Sequence, residues 1–586
     1  MKINIQRREW HFVGLIIIAI LLFSSVPYAF ASLNAPPDKR FMGFVYNVSD
    51  HGQYLSWYKE FQSSFVISNK LTPEPNSAAF FNLLWFVLGR LGYYTGWSYV
   101  AVYQLFRWAS GAAFMIALYA FSALFFSDLR QRRAAFMITA LGSGLGWIWV
   151  IVKYLTKAND LPFPQDVYVA EGNSFLSIMA YPHFAEAASL ILAVLGLLLL
   201  GERRGQLRYA VAAGLTAHFL GWQHGYDLLI VWGVPCTYAG IRLCLERRWP
   251  DYWFKAMLIT GLLSWPPALY SVWLTHSSPI WEQVLDQFSN AGVYTPNLFH
   301  IFILMGLPLI LAIITLALLA RGHSPSDTPV QPTERKHLFL GVWFVAGWAL
   351  CYIPTDFQIH MLNSWQVPIA YLATIGLYKY VAPLLQRRWS ARRSQTIVVL
   401  AFLALILLTN GYLWAWRSID LNRHDYPYFL YNDEVAALEW LDENALPDDI
   451  VLSSYDVGRY LPGLTGCRAF LAHWAQTVEF YDKRDRVAQF FALQTDHQER
   501  LATLRTFKVD YVFYGPAERA LGQYDPSTSA SFAPVFSNSR VTIYQVQDNT
   551  AVLGLSHLDM VSSKGGWRSP FPTPISWRTN EHTRLP

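Results

Sequence analysis

The chain of 586 residues is 53% hydrophobic and 16% aromatic, and only 15% of it is charged. Soluble domains carry about 25% charged residues, so this composition excludes an ordinary soluble globular protein. The formal net charge of +5 needs no nucleic acid, because basic residues anchored beside anionic lipid account for it. Cys236, Cys244 and Cys351 fall in apolar segments and Cys467 stands alone; that spacing gives neither a disulfide framework nor a zinc site and points away from redox chemistry.

A helix needs about 20 residues to cross roughly 30 Å of hydrocarbon. Applied along the chain, this length predicts about eleven spans, near 12–31, 97–126, 134–153, 183–201, 208–223, 226–245, 253–275, 300–320, 337–353, 365–383 and 395–416. The first follows Lys2, Arg7 and Arg8 and ends in Ala29-Phe30-Ala31, which imitates a cleavable secretory signal. The spans that follow favour its retention, since it then has a bundle to pack against.

Basic clusters recur in alternate loops: Arg130, Arg132 and Arg133; Arg203, Arg204 and Arg208; Arg247, Arg248 and Lys255; Arg321, Arg335 and Lys336; and Arg387, Arg388, Arg392 and Arg393. Positive loops stay in the cytoplasm. The N-terminus is therefore expected inside and, with an odd number of spans, everything after Arg417 outside. The count turns on the short pair meeting at Trp222 and His224 and on the brief span 337–353.

Four regions are expected. Residues 1–31 form a cytoplasmic start and first transmembrane helix, and 32–95 a long first outer loop. Residues 96–417 form the remaining bundle, and 418–586 an extracytoplasmic α/β domain. In the outer loop, Tyr54 to Phe65 and Ala78 to Leu91 are apolar but interrupted by Lys59, Glu60, Asn82 and Arg90, a pattern of helices lying in the interface. In the tail, a helix starts at Asp433-Glu434 and runs through Leu441. Strands are predicted at Ile450 to Ser453, Arg468 to Leu471 and Val509 to Tyr514, with a hairpin from Phe532 to Val535 and Arg540 to Val546. Gly458 to Gly466 lacks dinucleotide-binding spacing and reads as a turn. The stretch from Val561 reads as a loosely ordered end.

The first outer loop also contains Tyr46-Asn47-Val48-Ser49-Asp50-His51-Gly52-Gln53-Tyr54, an acidic, aromatic segment just outside the membrane. With a single inward-to-outward helix before it, interfacial helices and a many-span bundle after it, and an outer C-terminal domain, the arrangement resembles the fold type C (GT-C) glycosyltransferases. These include protein O-mannosyltransferases, aminoarabinose transferases and oligosaccharyltransferases. The motif is Asp50 in Ser49-Asp50-His51-Gly52-Gln53-Tyr54; many members carry an Asp-Glu pair there, and His51 replaces the second carboxylate. The tail, with Glu439-Trp440-Leu441, Asp510-Tyr511-Val512 and Gly515-Pro516-Ala517-Glu518-Arg519, is similar to the soluble domain of bacterial members.

The resemblance implies transfer of a hexosyl or pentosyl group from a polyprenyl-phosphate sugar, at a cell membrane, to an outer glycan, lipid or protein acceptor. Such chemistry needs a base for the acceptor and positive charge or a metal for the leaving phosphate. Asp50 is the expected base, with His51 beside it at the substrate. Glu74, in Thr72-Pro73-Glu74-Pro75, corresponds to a second carboxylate that some members use with a divalent ion; it also reads as a solvated loop carboxylate between prolines. The second outer loop offers Asp160, Asp166 and Glu171, then His183 in Tyr181-Pro182-His183. These would complete an oxygen-rich magnesium or manganese site, or simply be solvated.

Ionisable groups inside spans cost several kcal/mol unless a partner or aqueous cavity relieves them. Arg107 would hold a lipid phosphate, or pair with Glu186 or Asp227. The corner Thr355-Asp356-Phe357-Gln358-Ile359-His360 precedes a span at a position where related transferases carry an Arg. His360 would meet donor phosphate as a proton donor, with Asp356 beside it, or the two would satisfy each other across one helical turn.

Two other classes of function fit a polytopic chain. A lipid or glycan transporter should show inverted halves around a midplane site, and no internal repeat is present. A non-catalytic surface binding protein would leave Asp50 idle.

Overall fold

The computed structural model describes residues 5–158, 163–287, 294–321 and 332–547. Asp160 and the stretch from Val561 lie outside them.

Among the described residues nine helices are long and apolar enough to cross a membrane: Arg7–Leu33, Tyr99–Phe125, Leu129–Thr156, Pro182–Arg204, Gly225–Glu246, Asp251–Ser277, Leu298–Arg321, Gln358–Leu385 and Ala391–Leu421. Each falls on a predicted span. The other two predicted spans are helical as Arg208–Gly221 and Pro332–Cys351. The former has only 14 residues, about 21 Å of helix against roughly 30 Å of hydrocarbon. It buries Ala210, Ala213, Gly214 and Ala217, small side chains that let its backbone approach the neighbours Pro182–Arg204 and Asp251–Ser277 closely. Its early stop opens the corner His224-Gly225-Tyr226-Asp227.

The third span is interrupted between Leu141 and Gly146. Asp166 reaches into the break from the following loop, and its Oδ2 accepts the Gly146 amide at 2.9 Å. The contact is so close that a Cβ at Gly146 would lie 1.9 Å from Asp166 Oδ1, so only glycine fits.

Among the described residues seven strands occur in chain order: β1 (Lys39–Phe41), β2 (Phe429–Tyr431), β3 (Ile450–Leu452), β4 (Arg468–Ala469), β5 (Tyr511–Tyr514), β6 (Phe532–Ser537) and β7 (Thr542–Val546). The last five form a sheet in the order β4-β3-β5-β7-β6, with β3 parallel to both β4 and β5. β7 runs antiparallel to β5 and β6. All residues of β3 and β5 are buried, as expected for parallel strands covered on both faces. Leu452, Phe470, Val487, Phe491 and Val512 share their core. These strands occupy the segments predicted from the sequence, and the predicted helix is Asn432–Asn444.

The segment after the first helix is stitched to the C-terminal region. β1 pairs with β2, and the Ala469 amide donates to the Lys70 carbonyl at 3.0 Å, covering the edge strand β4. Thr477 Oγ1 donates to the Leu71 carbonyl at 2.6 Å and Asn69 Nδ2 to the Gln476 carbonyl at 2.8 Å. These bonds set the loop after β4 over the helix that carries Asp50.

Candidate active site

Asp50 lies in the first turn of the helix Val48–Phe61, where the unpaired amides favour a negative charge. Asn47, in the left-handed conformation just before it, donates from Nδ2 to Asp50 Oδ2 at 2.5 Å. The other oxygen faces the loop after β4: His473 Nε2 is 3.2 Å and Trp474 Nε1 3.3 Å from Oδ1. Ser49 Oγ meets the Tyr455 hydroxyl at 2.6 Å. A Cβ at Gly52 would sit 2.1 Å from the Arg459 carbonyl oxygen, so glycine allows the two segments to pack backbone to backbone.

Asp50 opens onto a cavity of about 430 Å³. One wall is aromatic: Tyr54 stacks on Trp85 at 4.5 Å, Trp57 packs on Phe80, and Phe80 stacks on Trp281 at 4.6 Å. The other wall is built at three helix entrances. His183 opens Pro182–Arg204, and its Nε2 lies 3.2 Å from the Tyr54 hydroxyl. His224 stands 5.4 Å from the His183 ring and 3.3 Å from Asp227, which accepts from Asn363 at 3.1 Å. His360 stacks on Tyr226 at 4.4 Å and donates from Nδ1 to Glu171 Oε1 at 2.5 Å. Neither Lys nor Arg is among the described residues lining the cavity. The nitrogen donors of this wall are therefore imidazoles.

Four of the expected site residues, Asp50, Glu171, His183 and His360, face this one cavity. The others are placed elsewhere. His51 points behind the cavity, stacked 4.4 Å on Phe44 and edge-on to Tyr103; burial drives its pKa down to about 4 against the pull of Asp50, so the ring is neutral. Glu74 accepts from Lys483 at 2.5 Å and from Thr72. Arg107 is buried inside Tyr99–Phe125 and donates to Ser24 at 2.9 Å, Ser25 at 2.6 Å and Gln104 at 2.8 Å, not to Glu186 or Asp227. Asp166 is spent on Gly146, and burial raises its carboxyl to about 7. Asp356 accepts from Tyr294 at 3.3 Å, while His360 has Glu171 as its partner.

The expected magnesium or manganese ion does not fit this donor set. Among the described residues no group of three or more His, Cys, Asp or Glu side chains is arranged to hold a metal. The Asp50 oxygens are taken by Asn47, His473 and Trp474, and Glu171 Oε1 by His360, whereas such ions demand several convergent oxygens.

His473, Trp474 and Gln476 also line the cavity, and sequence reading missed them. The available signal was a His-Trp pair in the loop leaving a buried strand, since loops on a rigid scaffold carry function.

No family model and no curated protein sequence matches the chain. Solved structures do. The oligosaccharyltransferase AglB of the archaeon Archaeoglobus fulgidus, in complex with an inhibitory peptide and a dolichol-phosphate, aligns with a TM-score of 0.53 at 13% identity, over 94% of this chain and 75% of its own. The same archaeal enzyme tethered to an acceptor peptide gives 0.51 at 13% identity, over 87% and 69%. The arabinofuranosyltransferase AftD from Mycobacteria gives 0.53 at 12% identity, over 93% of this chain but 42% of that much longer one. With its long apolar helices and this shared architecture, the chain is a multi-pass membrane protein with the GT-C glycosyltransferase fold.

Proposed function

We propose that the protein is a membrane glycosyltransferase moving a sugar from a polyprenyl-phosphate donor to an extracytoplasmic acceptor. The observation that carries this reading is Asp50, held by three side-chain donors at the mouth of a cavity whose opposite wall is built of histidines. The archaeal oligosaccharyltransferase of the same fold was solved with a dolichol-phosphate, which supports a lipid-phosphate donor here. In the proposed topology the N-terminus is cytoplasmic, and the first loop, the cavity and the sheet domain after Arg417 lie outside.

In the reaction, the acceptor hydroxyl or amine gives its proton to Asp50 as its oxygen or nitrogen bonds to the anomeric carbon. The bond from that carbon to the phosphate oxygen breaks, and polyprenyl phosphate leaves with the electron pair. His183, His224 and His360 offer N–H groups to the phosphate, with Glu171 fixing the His360 ring. The aromatic wall shields the reacting atoms from water. No step is assigned to a metal ion.

Release of polyprenyl phosphate from a panel of lipid-linked sugars by the purified protein tests this reading, with Asp50→Asn alongside. Release that needs Asp50 bears it out. A folded protein that binds and releases nothing belongs instead to the scaffold or transport classes.

A further inference from the structure

Two neighbouring side chains from far along the chain turn towards Asp50, His473 and Trp474, and His473 is the one whose ring the loop itself orients. Its Nδ1 accepts two backbone hydrogen bonds, from Ala475 N at 3.1 Å and Gln476 N at 3.2 Å. A backbone amide can only donate, so Nδ1 carries a lone pair and the proton of the neutral ring is on Nε2. That atom faces Asp50 Oδ1 at 3.2 Å. The loop itself therefore sets the tautomer that gives Asp50 a donor; an imidazolium would aim a second N–H at two amides.

The ring is also buried in a braced loop. Its side chain is 3% exposed. Thr477 Oγ1 accepts from the amides of Ala472 and His473 and donates to the Leu71 carbonyl, and Asn69 holds the Gln476 carbonyl. With Oδ2 fixed by Asn47 and Oδ1 by His473 and Trp474, the carboxylate plane is set from both sides. It still reaches the cavity, with 21% of its side chain exposed.

Resting on the transferase reading above, we propose that His473 is a positioning residue for Asp50, so that the C-terminal sheet domain completes the active site rather than only flanking it. The two nitrogens have separate jobs: Nδ1 shapes the loop, and Nε2–H orients the base.

The two jobs can be separated by mutation. His473→Asn places an amide oxygen near the position of Nδ1 and keeps the acceptor for the loop, but has no group that reaches Asp50. His473→Gln places an amide N–H near the position of Nε2 and keeps the donor, but gives up the loop acceptor. Full-length protein in lipid nanodiscs would be assayed for turnover of a lipid-linked sugar, for binding of undecaprenyl phosphate and for thermal stability.

The expected result is a fall in kcat of about 100-fold for His473→Asn, the scale of a misplaced catalytic group, with undecaprenyl phosphate affinity and stability as in the wild type. His473→Gln should keep most of its kcat despite lower stability. Wild-type turnover in His473→Asn, or a reversed order with His473→Gln the slower, overturns the assignment, because a purely structural histidine would show that order. Equal loss in both, following stability, overturns it as well. If the wild type releases nothing from any donor, the transferase reading fails and takes this inference with it.

Discussion

Two carboxylates face the cavity from different regions, and their surroundings differ in kind. Asp50, on the helix Val48–Phe61, is ringed by neutral donors: an amide, an indole and the Nε2–H of His473. Glu171, on a turn between spans, has a single imidazole partner at 2.5 Å. Neutral donors orient a carboxylate and leave it able to take a proton. Glu171 instead spends an oxygen on fixing the His360 ring in the opposite wall. On the proposed reading the same chemical group would serve as base on one side and as support for the phosphate-binding wall on the other.

This contrast can be broken at either end. The largest effect is expected at the base: Asp50→Asn should lower kcat by about 10²- to 10⁴-fold, the contribution of a positioned general base, while undecaprenyl phosphate still binds. Equal loss of binding would move Asp50 to the phosphate side. Glu171→Gln should act in the opposite way. Its main effect should be weaker undecaprenyl phosphate binding, by about tenfold for one charge-assisted contact, read by a binding titration. A variant of Glu171 that loses kcat with unchanged affinity would make the two carboxylates equivalent.

Arg107 is the contrasting case outside the cavity lining, because a charge inside a span invites a functional reading. Its guanidinium is consumed by Ser24, Ser25 and Gln104. Arg107→Gln should therefore cost about 1–3 kcal/mol of stability, the scale of unsatisfied buried partners, and leave phosphate affinity unchanged in the same titration. A selective loss of affinity would return Arg107 to the donor site.

Arg107 also shows where sequence reading stops. The spans were legible because apolar length is a local property, and β3, β4 and β5 because short apolar runs bounded by turns are too. Asp50 was legible for the same reason, as an acid beside aromatic residues just after the first span. The partners of these groups were not. His473 lies 423 residues from Asp50 and His360 lies 189 from Glu171, and no spacing rule links positions so far apart. The serines that satisfy Arg107 sit in an apolar helix where they read as filler. The segment predicted as a span at 208–223 is the 14-residue helix Arg208–Gly221, and hydropathy does not reveal that a helix stops early to open a corner.

Asp166 gives the smallest effect and separates a spent carboxylate from the two that face the cavity. Burial raises its pKa to about 7, opposed by the hydrogen bond from Gly146. In the unfolded chain the group ionises in the ordinary carboxylate range near 3.9. The folded form thus holds a proton that the unfolded form has lost, so stability falls as pH rises from about 4 to about 7 and is flat above. Asparagine has the same shape, keeps an oxygen for the Gly146 amide and does not titrate. The difference in thermal midpoint between wild type and Asp166→Asn should therefore shift in favour of the variant across that window, with turnover and metal response unchanged. A pH-independent difference would show that the carboxyl ionises in the fold as it does in water, and a loss of turnover would place Asp166 among the groups that act on substrate.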